Sequence, residues 1–192
     1  MNNFLLLLFL FLTQCKSVNQ KIDITQKEVN QEIIIRTASD DKMSIITIQF
    51  PNSIVLSNNS SIDRDFLTID YKYNNIPYNR DLNLGLYVMN ENGKLKRVRN
   101  NKKKTILSKE KRSFIYYSRH FVDSSKSTQQ YFRSYITKMH EENKDTLHIG
   151  TVSEFKKKYE ELFKQLTQGD SISIRYLEGN KISGRTIIPI KW

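Results

Sequence analysis

The feature that most constrains the fold is a strict alternation of side-chain positions in three stretches of the chain. Apolar residues recur at every second position in residues 45–50, 66–73 and 82–89. A period of two sends successive side chains to opposite faces of a β-strand. Each stretch therefore predicts a half-buried strand, and the first of them places Ile46, Ile48 and Phe50 on one face.

Turn chemistry and later alternation extend this β pattern. The pair Asn92-Gly93 predicts a type I′ turn joining strand 82–90 to the strand that follows it. Residues 100–109 are predicted to form a loop. Pro189 cannot donate to a ladder, which places the last strand at an edge or a bulge. Further strands are predicted at residues 94–99, 113–122, 171–177 and 182–190.

Two segments have helical periodicity instead. Near residues 127–140, Ser127 and Gln130 have the spacing of a capping box, in which both side chains satisfy backbone N–H groups at a helix start. Near residues 152–168, Thr151 and Glu154 have the same spacing. Gly169 follows where a C-terminal cap belongs. Each segment carries apolar residues on one face, so two amphipathic helices are expected.

The order of many strands, two helices and a final hairpin does not fit alternating parallel βαβ units. We therefore expect a mainly β fold, an antiparallel β-sandwich for which an immunoglobulin-like arrangement is one form, with the helices inserted before its last strands. The alternative is an α+β fold with both helices on one antiparallel sheet. Residues 22–192 are expected to form a single β-rich domain, which is long enough to bury a sizeable core.

The N-terminus carries a separate signal. Phe4–Leu12 is an unbroken apolar run of nine residues, and Cys15, the single cysteine of the chain, follows it. A membrane-spanning helix needs about 20 residues. The run is therefore too short to span a bilayer and suits the apolar core of a signal peptide.

Leu12-Thr13-Gln14-Cys15 resembles the lipobox of a bacterial lipoprotein signal peptide. The resemblance implies that residues 1–14 are removed, that Cys15 carries the lipid, and that 15–21 form a short tether. The protein would then be anchored in the cell envelope through its N-terminal lipid. Lys16, rather than Asp, after the cysteine favours the outer membrane in a Gram-negative cell. An ordinary secretory signal, giving a free secreted protein, is the alternative.

The formal net charge of +11 is concentrated in residues 94–112, a segment with a single acid, Glu110. Such a run attracts polyanions, or it is a solvated loop with adjacent strand ends. For a tethered protein the expected partner is an envelope protein or an anionic glycan, and nucleic acid is not favoured because no nucleic-acid-binding motif accompanies the charge. The candidate contact residues are Lys94, Lys96, Arg97, Arg99, Lys102, Lys103, Lys104, Lys109, Lys111 and Arg112.

No catalytic residue, metal site or cofactor is predicted. His120, His140 and His148 lack metal-ligand spacing, and no cysteine remains after Cys15 to join them. The leading hypothesis is a non-enzymatic envelope lipoprotein that acts as a binding or structural module. The alternatives are a small hydrolase acting on envelope polymers and an inhibitor or immunity-type lipoprotein.

Overall fold

The computed structural model describes residues 22–38, 43–74 and 81–192. The predicted signal peptide, Cys15 and the tether lie outside the described residues. In chain order the strands are β1 (Asp23–Lys27), β2 (Ile33–Thr37), β3 (Ile45–Gln49), β4 (Pro51–Ser57), β5 (Arg64–Lys72), β6 (Asp81–Asn83), β7 (Leu86–Met89), β8 (Leu95–Val98), β9 (Lys104–Ile106), β10 (Lys111–Tyr117), β11 (His120–Phe121), β12 (Thr146–Ile149), β13 (Ser171–Glu178) and β14 (Lys181–Pro189). The helices are α1 (Lys126–Gln130), α2 (Arg133–Glu141), α3 (Val152–Lys158) and α4 (Glu160–Thr167).

The strands form three antiparallel sheets. The first has the order β1-β4-β10-β7-β8, the second β11-β3-β2-β12, and the third β14-β13-β5-β6, with β9 also paired to β5. The predicted class, mainly antiparallel β with helices before the last strands, is confirmed. Pro189 ends β14, an edge strand, as its missing N–H requires.

The first and third sheets pack face to face as a sandwich. Their shared core joins Phe66 and Tyr71 of β5 to Phe114 and Tyr116 of β10, all fully buried or nearly so. The rings of Phe66 and Phe114 meet edge to face with centroids 5.7 Å apart. This is a geometry that aromatic pairs favour.

The second sheet is covered by the helices, so both predicted arrangements occur in one chain. Its core contains Ile33, Ile35 and Phe50 from the sheet side, with Phe132 and Phe155 from the helical segment. The sheets are connected by strands that pass from one to the next. Phe50 separates β3 from β4, and its carbonyl accepts a hydrogen bond from the N–H of Ser118, which lies between β10 and β11.

Register shifts in three of the described strand pairs, β2 with β3, β13 with β5 and β13 with β14, alter the predicted alternation. Thr37 pairs with Ile45 and Arg36 with Thr47, so Ile46 is the extra residue and is exposed rather than buried. The pairing of β13 with β5 likewise skips Leu67. An extra residue shifts the side-chain period by one, which a strict alternation cannot show.

The strand predicted over 82–90 is instead divided between two sheets, since β6 pairs with β5 while β7 pairs with β10. The predicted type I′ turn is also wrong. Gly93 has φ +72°, but Asn92 does not have positive φ. Gly93 N–H donates to Asn90 O, and Asn90 N–H donates to Lys94 O, as in a type I turn followed by a glycine bulge.

Both predicted helices are broken in the middle. The first breaks at Tyr131, the C-cap of α1. The N-cap of α1 is Ser125, whose hydroxyl accepts from Thr128 N–H, so the predicted capping box at Ser127 and Gln130 is wrong. The second breaks at Tyr159. Its predicted Thr151–Glu154 capping box is confirmed.

Candidate anion-binding edge

Five of the ten predicted contact residues lie along one side of the sandwich. We call Lys94, Lys96, Arg97, Arg99 and Lys102 the basic edge; all five are exposed. They belong to the β7–β8 hairpin and to the loop that follows it. Because β8 is the last strand of the first sheet, strand alternation directs Lys96 and Arg97 to opposite faces of an edge. Positive charge therefore surrounds the edge strand on both faces.

A buried asparagine fixes the loop after β8. Asn100 is buried, and its amide oxygen accepts from Ile69 N–H at 2.9 Å while its amide nitrogen donates to Ile69 O at 2.6 Å. The same nitrogen lies 3.2 Å from Leu84 O. The side chain thus replaces a strand neighbour for Ile69, and it holds Arg99 and its neighbours against the sandwich.

Lys104 is not a contact residue, which corrects the prediction. It is 8% exposed, and its ammonium lies within hydrogen-bond distance of four carbonyls, those of Leu67 (2.7 Å), Arg99 (3.2 Å), Asn100 (2.8 Å) and Lys102 (2.5 Å). It also lies 5.1 Å from the ring centroid of Phe66, in cation–π contact. Burial lowers the pKa of Lys104 to about 8. The predicted loop 100–109 is therefore interrupted by β9, and the buried ammonium of Lys104 binds backbone carbonyls of the loop.

The remaining predicted contacts are engaged elsewhere or lie apart from the basic edge. Lys103 pairs with Asp65 at 2.7 Å. Lys109 donates to Asn59 O at 2.6 Å. Arg112 donates to Thr105 O at 3.0 Å and stacks near the ring of Phe114. Lys111 is exposed at the start of β10.

A shallow groove runs beside the basic edge. It is lined by Leu84 and Gly85 on one side and by residues 97–102 on the other, which include Arg97, Arg99 and Lys102. Within the described part of the chain, none of these three cations has a carboxylate within ion-pair distance. Their charges are therefore available to an anion in the groove.

Edge protection is the structural alternative for this charge. An edge strand exposes unpaired backbone groups, and lysines there discourage pairing with another chain. That role accounts for Lys96 on β8 and for Lys94 immediately before it. It does not account for Arg99 and Lys102, which lie beyond β8 in the loop that Asn100 and Lys104 hold.

The structure also assembles a buried polar cluster that the sequence does not reveal. Ser118 Oγ lies 2.9 Å from His120 Nε2, and His120 Nδ1 lies 3.7 Å from Asp170 Oδ2. Tyr71 donates its hydroxyl proton to the same Asp170 oxygen at 2.8 Å. Asn74 N–H donates to the other carboxylate oxygen at 2.8 Å. Serine, histidine and aspartate are thus brought together from β-strand ends and the residue before β13.

This cluster does not have the properties of a nucleophilic triad. Ser118 is fully buried, so substrate cannot reach its hydroxyl. The distance of 3.7 Å from His120 to Asp170 is too long for the hydrogen bond that orients a catalytic histidine. Burial lowers the pKa of His120 to about 3 and raises that of Asp170 to about 6. The His120 ring contacts Phe50 of one core and Tyr71 of the other, with centroids 5.2 and 5.9 Å apart, so the cluster lies where the two cores meet and we assign it a structural role.

No arrangement for a metal ion appears among the residues that the structure describes, as no three His, Cys, Asp or Glu side chains converge there. Glu142, two residues after His140, forms ion pairs with Lys138 at 3.8 Å and with Lys144 at 2.6 Å. In the same described ranges, no helix is both long and apolar enough to cross a membrane.

Comparison with known proteins adds no assignment. The chain matches no protein-family model, no curated protein and no solved structure. The fold and the basic edge are therefore interpreted from their own chemistry.

Proposed function

We propose that this protein is an envelope lipoprotein whose folded domain binds an anionic glycan through the basic edge. The observation that supports this most directly is that the loop carrying two of the exposed cations is held in place by a buried lysine. Arg99 and Lys102 are exposed, while the carbonyls of both residues are held by the buried ammonium of Lys104. A held loop loses less conformational entropy on binding than a free one.

The lipobox resemblance supplies the location. A lipoprotein cysteine carries several acyl chains, and two or more chains anchor a protein stably, whereas one gives only marginal binding at about 0.8 kcal/mol per buried CH₂. Anchoring at Cys15 would keep the domain beside the envelope polymers. A tethered ligand-binding domain meets its polymer at high effective concentration, so modest affinity at each charge suffices.

An elongated polymer fits the shape of the basic edge better than a compact ligand does. The charges follow a strand and then a loop, and residues two apart on a strand are about 6.7 Å apart. The adjacent groove beside Arg97, Arg99 and Lys102 is open and shallow. Repeated negative charge along a chain would match this row, and binding would weaken as salt screens it.

The test compares two variants of equal net charge. The edge variant carries Lys96→Gln, Arg97→Gln, Arg99→Gln and Lys102→Gln. The control variant carries glutamine at four exposed lysines elsewhere, Lys27, Lys126, Lys157 and Lys164. Binding to polygalacturonate, a carboxylated polysaccharide, is measured at low and at physiological salt, with dextran as the neutral polymer.

We expect the edge variant to bind polygalacturonate at least about tenfold more weakly, which is ~1.4 kcal/mol, while the control variant binds almost as well as wild type. Equal losses in the two variants would show that the overall positive charge, and not the basic edge, attracts the polymer. That result would contradict the proposed function.

A further inference from the structure

A second surface of the sandwich surrounds the point where the chain enters β1. Asp23, the first residue of β1, pairs with Ser57, and Ser57 also pairs with Lys111. The amide of Asn58 donates to the carbonyls of Ile62 and Leu107 at 2.8 and 3.0 Å. The loops 58–63 and 107–110 therefore lie together beside the N-terminus of β1, at what we call the tether end.

The β13–β14 turn lies at the same end. Leu177 pairs with Asp65 on one side and with Ile182 on the other. Ile22, which precedes β1, and Ile62 line a groove together with Leu177 and Gly179. The tether end is thus formed by three connected loops and by the segment that leads toward Cys15.

Large apolar side chains are exposed at the tether end. Ile62 is 58% exposed, Leu107 56% and Ile182 59%. Single exposed apolar residues are common on protein surfaces. These three differ because they come from separate segments of one end: Ile62 and Leu107 from two loops that hydrogen bonds from Asn58 hold together, and Ile182 from the start of β14.

The acidic groups of the loops 58–63 and 107–110 are engaged in the backbone of those two loops. Asp63 accepts from Ser108 N–H at 2.8 Å, and Glu110 accepts from Leu107 N–H at 2.7 Å. Lys109 and Lys181 are exposed around the apolar residues, as is Glu178. Apolar groups flanked by lysines are the combination that inserts at the headgroup level of a bilayer, where lysine stems extend toward the phosphates.

We propose that the tether end docks on the lipid surface that holds the protein, with Ile62, Leu107 and Ile182 in contact with the membrane. This inference rests on the proposed lipidation of Cys15. Seven residue steps separate Cys15 from Ile22, and a chain spans at most about 3.6 Å per residue, so the tether end stays within about 25 Å of the anchor. Phe121 lies ten residues beyond Lys111 along β10 and β11, up to about 33 Å farther away at 3.3 Å per residue.

The test measures how deeply a single fluorescent label on a cysteine of the lipidated full chain lies in a membrane. The chain holds one cysteine, and lipid on Cys15 would block its sulfur, so an introduced cysteine becomes the labelled thiol. The variants are Leu107→Cys and Ile62→Cys, with Phe121→Cys as the control because Phe121 is 63% exposed and lies ten residues beyond Lys111 along β10 and β11. Each labelled protein is reconstituted in vesicles of phosphatidylethanolamine and phosphatidylglycerol that contain a nitroxide-bearing lipid.

We expect the nitroxide lipid to quench labels at residues 62 and 107 several-fold more than the label at residue 121. Equal quenching at all three positions in a vesicle-bound, lipidated protein would overturn the docking proposal and leave the anchor intact. A chain that accepts label at Cys15 and does not remain with the vesicles would overturn both proposals. The two failures are therefore distinguishable.

Discussion

The buried ammonium of Lys104 offers the sharpest test of how the basic edge is built. Lys104→Met keeps most of the side-chain length and removes the donor from four carbonyls. An ammonium has three protons, so three of those bonds can form at once. Hydrogen bonds to a charged group contribute about 1.5–3 kcal/mol each, and a desolvated carbonyl left without a partner costs about 1–3 kcal/mol.

The expected loss is smaller than the sum of these terms. Only the bond to Asn100 O is fully buried, and the other three carbonyls are part-buried and can recruit water. Methionine also avoids the cost of burying a charge. We therefore expect Lys104→Met to lower the free energy of unfolding by about 3 kcal/mol, which corresponds to a fall of about 6–12 °C in Tm for a chain of this size.

Lys102→Met is the matched control, because it makes the same substitution and the same charge change two residues away at an exposed side chain. Chemical denaturation monitored by the fluorescence of Trp192 would give both values. We expect the control to change stability by less than about 0.5 kcal/mol. Equal stability of the two variants would refute the view that Lys104 ties the loop from inside.

Three further predictions concern the buried cluster and a glycine. Burial lowers the pKa of His120 from 6.5 to about 3, so the stabilising contribution of His120 is present above pH 6.5 and is lost as pH falls. The difference in unfolding free energy between wild type and His120→Asn should therefore widen by about 3 kcal/mol as pH rises from about 4 to about 6. A constant difference would contradict this. Gly169→Ala should lower the free energy of unfolding by at least about 1 kcal/mol more than Gly93→Ala. Both glycines have positive φ, but a Cβ at Gly169 would lie 2.6 Å from Asn74 Nδ2, whereas a Cβ at Gly93 meets nothing within 4 Å. Equal losses would show that the crowding at Gly169 is relieved without strain. A fluorophosphonate probe should leave the buried Ser118 unlabelled in the folded protein, and labelling that Ser118→Ala abolishes would show that the cluster opens to substrate.

Local sequence signals predicted the features that depend on neighbouring residues. The capping box of Thr151 and Glu154 and the C-terminal Gly169, with φ +81°, occur where they were expected. Both devices are decided within one turn of a helix, so a few residues contain all the information. The closing β13–β14 hairpin was predictable for the same reason.

Features set by pairing across the chain could not be predicted in this way. The bulge at Ile46 depends on its register with β2. Lys104 was counted as a surface cation because nothing near it in sequence shows that Leu67 O lies 2.7 Å from its ammonium. Ser118 and Asp170 are 52 positions apart in number, so no local pattern could have grouped them with His120.

The basic edge was only partly predictable for a related reason. Charge density along residues 94–112 identified the segment, yet it could not separate exposed Arg99 from buried Lys104 or from Lys103, which pairs with Asp65. Side chains on a strand alternate between faces, and sheet edges and loops decide which of them meet solvent. Which of these cations are exposed therefore depends on the packing of the whole sandwich.

The most direct test of the lipid anchor is the intact mass of the protein from the membrane fraction, with the identity of its first residue, for wild type and for Cys15→Ala. We expect the wild-type chain to begin at Cys15 with a diacylglyceryl group, and the Cys15→Ala chain to lack this mass and leave the membrane. A wild-type chain that begins elsewhere without lipid would contradict the anchor, and with it the proposed location beside an envelope glycan and a lipid surface.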